Sequence, residues 1–137
     1  MVDAAVAAGY RWTASARDLT TGITPGARAA GNGRRDVLLA EPTLLAQGRL
    51  VHFTTNFQAT SSIDRALAIL DQGGLLAVKA HIAKQFGDHV MLDGLDELYT
   101  NYLDLLFGEL DRRYGEALWW TTMGAIAERV HEPPGAT

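Results

Sequence analysis

The stretch SSIDRALAILDQGGLLAVKAH, residues 61–81, decides the fold class because it contains a helix, a stop signal and a strand in succession. Apolar residues at i, i+3, i+4 and i+7 predict an amphipathic helix that Ser61 or Ser62 can cap. The glycine pair at 73–74 predicts the end of this helix. The apolar run 75–81 is then typical of a strand that is covered on both faces.

The segments on either side continue this alternation of helices and strands. Helices are predicted at 2–8, between Asp93 and Gly115, and at 123–130, strands at 10–15, 36–42 and 117–122, an ambiguous β-prone segment at 50–57, and a long loop at 18–35. The longest helix carries an apolar stripe of Leu95, Leu98, Tyr99, Tyr102, Leu106 and Leu110. The order predicts one α/β domain over residues 1–131, built as a partial (β/α) barrel or a mostly parallel sheet with flanking helices. Residues 132–137 are predicted to be a disordered tail.

Composition excludes several classes of function. The chain has 137 residues, a net charge of −4, 47% hydrophobic and 20% charged residues, which is typical of a soluble globular protein. Its tightest basic cluster, Arg34-Arg35 near Arg28, is too small to predict nucleic-acid binding. No cysteine is present, so thiolate catalysis and cysteine metal sites are excluded. The sequence lacks a signal-peptide pattern and an apolar run of roughly 18 residues, so we expect a cytoplasmic protein without membrane association.

His81 is the strongest candidate for a chemical role. It ends the predicted strand 75–81, and side chains at the carboxyl ends of parallel strands meet at a common opening. A histidine there can act as a general acid or base, or as a metal ligand. The alternative is a histidine that hydrogen-bonds to a loop backbone.

The other three histidines are weaker candidates. His52 lies between two apolar residues with no nearby carboxylate, so we interpret it as structural. His89 stands beside Asp88 in a loop, and His131 falls at the start of the tail. No HxxxH, HxH or HExxH spacing occurs, so local sequence predicts no metal site in this chain.

The aromatic pair Trp119-Trp120 is predicted to point to opposite faces of the strand 117–122. One ring would then belong to the core, and the other could stack on a sugar or another ring. The glycines form no G-x-G-x-x-G fingerprint and no G-x-S-x-G elbow is present. The motifs therefore do not by themselves identify an enzyme.

Four segments do resemble one family when they are taken together. They are GYRWTAS (9–15) after a helix, LAEP (39–42), LLAVKAH (75–81) as a late strand ending in histidine, and WTTMGAIA (120–127) at the start of the last helix. Their order and types resemble the latter half of a polysaccharide deacetylase domain, the NodB-homology fold. The resemblance extends over residues 3–130.

The resemblance implies a distorted (β/α) barrel enzyme of carbohydrate metabolism. Such hydrolases use a divalent metal, zinc or similar, to cleave C–N amide bonds, not peptide bonds, of acylated sugars. It further implies that His81 protonates the leaving amine, and that Trp120 and Trp12 contact a carbohydrate substrate.

The family's metal-binding motifs have no counterpart in this sequence. The T-F-D-D-G strand and the H-x-x-x-H motif are both absent, and Gly124-Ala125 stand where an acid often occurs. We therefore expect no metal cofactor in this chain, and interpret it as a C-terminal portion, a fragment that is inactive alone.

Two alternatives from other classes remain. The first is a non-catalytic α/β association domain, because exposed sheet edges and apolar faces favour a homo-oligomer. The second is a complete small enzyme built around His81, His89 and Asp88.

Overall fold

The computed structural model describes residues 1–25, 38–58, 61–79, 84–86, 88–91, 97–132 and 135. The helices are α1 (Val2–Ala7), α2 (Ile63–Leu70), α3 (Glu97–Tyr114) and α4 (Met123–His131), with a 3-10 turn at Gly115–Ala117. The strands are β1 (Trp12–Ser15), β2 (Thr43–Leu45), β3 (Leu50–Thr54), β4 (Phe57–Gln58), β5 (Val78–Lys79), β6 (Lys84–Phe86) and β7 (His89–Met91). The predicted α/β class is therefore confirmed. Among these residues, no helix is both long enough and apolar enough to cross a bilayer.

The principal sheet contains three strands in the order β1-β3-β2. β1 runs parallel to β3, whereas β2 runs antiparallel to it. A parallel pair needs a crossover of about a dozen residues or more, and the turn 46–49 between β2 and β3 is too short for one. The sheet is therefore mixed, and the described strands do not close a barrel.

The stretch 61–81 forms the predicted helix and stop. The Ser62 hydroxyl accepts a hydrogen bond from the Arg65 backbone N–H at 3.2 Å, which caps the first turn of α2. Gly73 has a φ of 70°, a left-handed conformation that glycine adopts at little cost after a helix. The following strand is short: β5 pairs in parallel with β4, so β4, α2 and β5 make a β-α-β unit.

Two predicted strands are wrong where the structure describes them. Residues 38–42 form no strand, and pairing begins only at Thr43, after Pro42, which has no N–H to donate to a ladder. Residues 118–122 are irregular, because the two tryptophan rings pack against helices rather than within a sheet. Thr122 instead caps α4, its hydroxyl accepting from the Ala125 N–H at 3.2 Å.

The first hydrophobic cluster joins α2, α3 and β4. Its buried residues are Phe57, Ala66, Leu106 and Leu110. Tyr102 of α3 donates a hydrogen bond to the Ser61 carbonyl at 2.5 Å, which fixes α3 to the start of α2. Burial, with a further contribution from the neighbouring Tyr99, raises the pKa of Tyr102. The prediction that Leu98 belongs to the apolar stripe of α3 is wrong, because its side chain is exposed to solvent.

The second cluster lies between α4 and one side of the three-stranded sheet. Val51 and Phe53 of β3 pack on Ala127 of α4. Side chains alternate across a strand, so the register divides the sheet into two faces. We call one the α4 face, formed by Trp12, Ala14, Leu44, Val51 and Phe53. We call the other the polar face, which carries Thr13, Ser15, Thr43, His52 and Thr54, with Leu45 and Leu50 at one end.

Candidate functional site

The predicted catalytic residue, His81, lies outside the described residues. The last residue of β5, Lys79, precedes it by two positions, so its role stays a prediction. His89 begins β7. His131 ends α4 rather than starting a tail, and its Nε2 lies 3.5 Å from the Arg11 carbonyl.

The tryptophans predicted to contact a sugar are both exposed. Trp12 is 41% exposed and its ring meets Phe53 edge-on, with the centroids 6.1 Å apart. Trp120 is 56% exposed and meets Phe107 edge-on at 5.4 Å. Trp119 is 58% exposed, so the expectation that one ring of the pair enters the core is wrong. The irregular backbone at 118–122 does not impose the alternation of a strand, which leaves both rings at the surface.

Trp12 lies near the first turn of α4, and Trp120 shortly precedes this helix in the chain. Trp120 stands two positions before Thr122, the residue that caps this helix. A Cβ added at Gly124, in the first turn, would lie 3.6 Å from the Trp12 Nε1 atom. Trp119 instead lies against the Arg129 guanidinium, 5.7 Å from its ring centroid, one turn or more further along the helix. Trp12 thus lies beside the first turn of α4, whereas the Trp120 ring, just before this helix in the chain, contacts Phe107 of α3.

The polar face holds a fully buried histidine at its centre. His52 has no exposed surface and pairs in register with Thr13 of β1 and Thr43 of β2. Its Nε2 lies 3.3 Å from the Arg17 carbonyl and 3.4 Å from the Thr54 hydroxyl. Within the described part of the chain, His52 Nδ1 and the Thr43 hydroxyl are buried without a hydrogen-bond partner. The sequence analysis assigned His52 a structural role and did not predict that it would lie between Thr13 and Thr43 on a buried polar face.

The loop after β1 holds the Arg17 carbonyl in place over His52. Asp18 organises a turn, because its carboxylate accepts from the backbone N–H groups of Thr20 at 2.7 Å and Thr21 at 3.0 Å. Burial raises the pKa of Asp18, but the hydrogen bonds from Thr21 and Thr20 outweigh it, and the net result is a lowered pKa. The Ser15 hydroxyl also donates to the Arg17 carbonyl, at 2.6 Å. One carbonyl therefore joins the end of β1 to the buried histidine of β3.

Asn56 is a second buried polar residue that sequence reasoning missed. Its amide nitrogen donates to the carbonyls of Leu38 at 3.0 Å and Leu75 at 2.8 Å. Its side-chain oxygen accepts from the Ala77 N–H at 2.9 Å. The only local signal was an amide inside a β-prone segment, and all three partners are distant in sequence. Asn56 therefore fixes the end of the strand region to two other segments and has no amide hydrogen left for a ligand.

The described residues contain no group of three or more histidine, aspartate or glutamate side chains that could hold a metal ion. No protein-family model, curated protein or solved structure matches this chain. Its function is therefore inferred from the motifs and from the geometry of the described residues.

Proposed function

We propose that this chain is the C-terminal portion of a polysaccharide-deacetylase-like, metal-dependent hydrolase that cleaves C–N amide bonds of acylated sugars. The observation that carries the proposal is the exposure of two rings, Trp12 beside the first turn of α4 and Trp120 two positions before the residue that caps this helix. Both rings belong to segments that gave the family resemblance. Exposed aromatic rings offer flat apolar surfaces on which sugar rings can stack.

A partial (β/α) barrel is the finer architecture within this proposal. Two strand pairs are parallel, β1 with β3 and β4 with β5, and α2 connects the second pair. In such barrels helices cover the outside of the strands, side chains fill the interior, and functional side chains lie at the carboxyl ends of the strands. The packing of α4 against one face supports this assignment, in which the polar face is the inner one.

In this proposal the chain supplies substrate contacts and one proton donor. Trp12 and Trp120 would orient the sugar, and His81 would protonate the leaving amine as the C–N bond breaks. The divalent metal of the complete enzyme would activate water, but the described residues do not fit a metal site. We therefore assign no metal ligand among them.

Sugar binding by the purified chain tests the proposal. Calorimetric titration with an N-acetylglucosamine tetramer should show binding that Trp120→Ala weakens roughly three- to tenfold, the loss expected for one stacking contact. Trp12→Ala should weaken binding by a similar factor. Trp119→Ala is the matched control, because Trp119 is equally exposed but lies against Arg129.

Two results would contradict this proposal. One is equal weakening by Trp119→Ala and Trp120→Ala, which would indicate a non-specific aromatic surface. The other is no binding of the acetylated tetramer by a chain that circular dichroism shows to be folded.

An association domain that forms a homo-oligomer is the second candidate function. Leu98 and Leu105 of α3 are exposed and seven positions apart, so they lie on one side of the helix. Leu44 is also exposed, on the edge strand β2. Sedimentation should give a dimer that dissociates with Leu105→Gln if α3 is the interface, or with Leu44→Gln if the sheet edge is. A monomer at all concentrations would exclude this candidate.

A further inference from the structure

Two buried polar atoms of the polar face, one on Thr43 and one on His52, differ from their neighbours because they have no hydrogen-bond partner among the residues that the structure describes. Thr43 and His52 are direct partners across β2 and β3, so their side chains lie on the same face. Cβ atoms of such pairs are about 4.5–5.5 Å apart. The Thr43 hydroxyl and His52 Nδ1 are both buried and without a hydrogen-bond partner within the described part of the chain. A buried polar group left in this way destabilises the folded state, so each atom needs a partner.

The contacts of Nε2, the other ring nitrogen of His52, indicate which of the two nitrogens carries the hydrogen. Nε2 lies 3.3 Å from the Arg17 carbonyl, which only accepts, and 3.4 Å from the Thr54 hydroxyl, which can accept or donate. A hydrogen on Nε2 satisfies both contacts, so we assign it to this nitrogen. In the neutral ring Nδ1 is then a bare lone pair that requires a donor.

The other unpaired atom of this face lies on β2. The contacts of Nε2 are with the loop that follows β1 and with Thr54 of β3 itself, so they do not involve β2. Thr43, directly opposite His52 on β2, carries the buried hydroxyl that also lacks a partner among the described residues.

We propose that one internal water molecule bridges His52 Nδ1 and the Thr43 hydroxyl. Water can donate to the lone pair of Nδ1 and accept from, or donate to, the Thr43 hydroxyl. Buried waters in proteins hold together polar groups of this kind and belong to the fold. A larger organic ligand is excluded by burial, since His52 has no exposed surface. This water site does not depend on the function proposed above.

The tautomer of His52 and the bound water can both be observed by nuclear magnetic resonance. In the ¹⁵N-labelled chain, long-range ¹H–¹⁵N correlations should identify the Nε2–H tautomer of His52. A cross-relaxation experiment should show transfer from a long-lived water to the His52 ring protons. An Nδ1–H tautomer would overturn the proposal, and so would the absence of water transfer, which would indicate that Thr43 bonds directly to the ring.

Substitution of Thr43 gives an independent thermodynamic test. Thr43→Val keeps the shape but removes the hydroxyl, so the equilibrium constant of unfolding should rise roughly fivefold as the water loses a partner. Thr43→Ser should keep the water signal. Thr13→Val is the matched control, because Thr13 pairs with His52 from β1, on the other side of β3 from Thr43. A Thr43→Val chain that is as stable as the Thr13→Val chain and retains the water signal would overturn the proposal.

Discussion

The two faces of the three-stranded sheet bury the same strand in different ways. All five residues of β3 are buried, but Val51 and Phe53 contact α4, while His52 and Thr54 lie among hydroxyls and a backbone carbonyl. The α4 face needs only shape and apolar area, which many side chains can supply. On the polar face each buried donor and acceptor requires a specific hydrogen-bond partner, because an unpaired buried polar group lowers the free energy of unfolding.

The two faces therefore depend on different properties of the sequence: the α4 face on apolar volume, and the polar face on particular hydrogen-bond partners. Apolar burial is non-directional and scales with area, so the α4 face tolerates changes that conserve volume. Hydrogen bonds on the polar face depend on the loop that presents the Arg17 carbonyl and on the register of β1 and β2. The polar face is therefore the more specific of the two, and we expect the α4 face, which buries apolar area, to contribute more to stability.

The largest expected effect tests the α4 face. Phe53→Ala removes a fully buried ring from the cluster with Ala127, and should lower the free energy of unfolding by about 3–5 kcal/mol. Urea denaturation monitored by circular dichroism measures this loss. Leu44→Ala is the control on the same face, where an exposed side chain should cost much less. Equal losses would mean that α4 does not cover this face as described.

A smaller loss is expected at Asn56, two positions beyond Thr54, where the alternating series of buried polar residues continues. Asn56→Ala leaves the Leu38 and Leu75 carbonyls and the Ala77 N–H without their partner, and should cost about 2–3 kcal/mol. Amide exchange of Ala77 should also accelerate in the same variant. If stability falls without a change at Ala77, the effect comes from lost packing rather than from these hydrogen bonds.

Local patterns were sufficient for most of the helices. The Ser62 cap, the stop at Gly73 and the Thr122-capped helix α4 depend on neighbouring residues, and α2 and α4 were predicted nearly to their ends. The strand at 117–122 failed because two adjacent tryptophans satisfy a strand pattern equally well when they pack on helices.

The contacts of His52 on the polar face could not be predicted, because its partners are distant from it in the sequence. His52 was judged by the residues around it in sequence, yet its partners are Thr43 on the adjacent strand and the Arg17 carbonyl. The antiparallel direction of β2, set by the turn 46–49, is what brings Thr43 opposite His52. The predicted partial (β/α) barrel or mostly parallel sheet, in which residues 43–45 were not assigned to a strand, does not pair them.

The smallest expected effect is a gain of stability at the junction of the α4 face and the exposed Trp12. Gly124 lies in the first turn of α4, and an added Cβ would meet Trp12 Nε1 at 3.6 Å, an ordinary contact. Gly124→Ala should therefore raise the free energy of unfolding by about 0.5–1 kcal/mol, because alanine loses less conformational freedom in a helix. Gly9→Ala is the opposing control, since Gly9 has a φ of 83° and alanine would be strained there. A destabilised Gly124→Ala chain would mean that Trp12 packs more tightly on α4 than this distance indicates, and that less of its ring is open to a sugar.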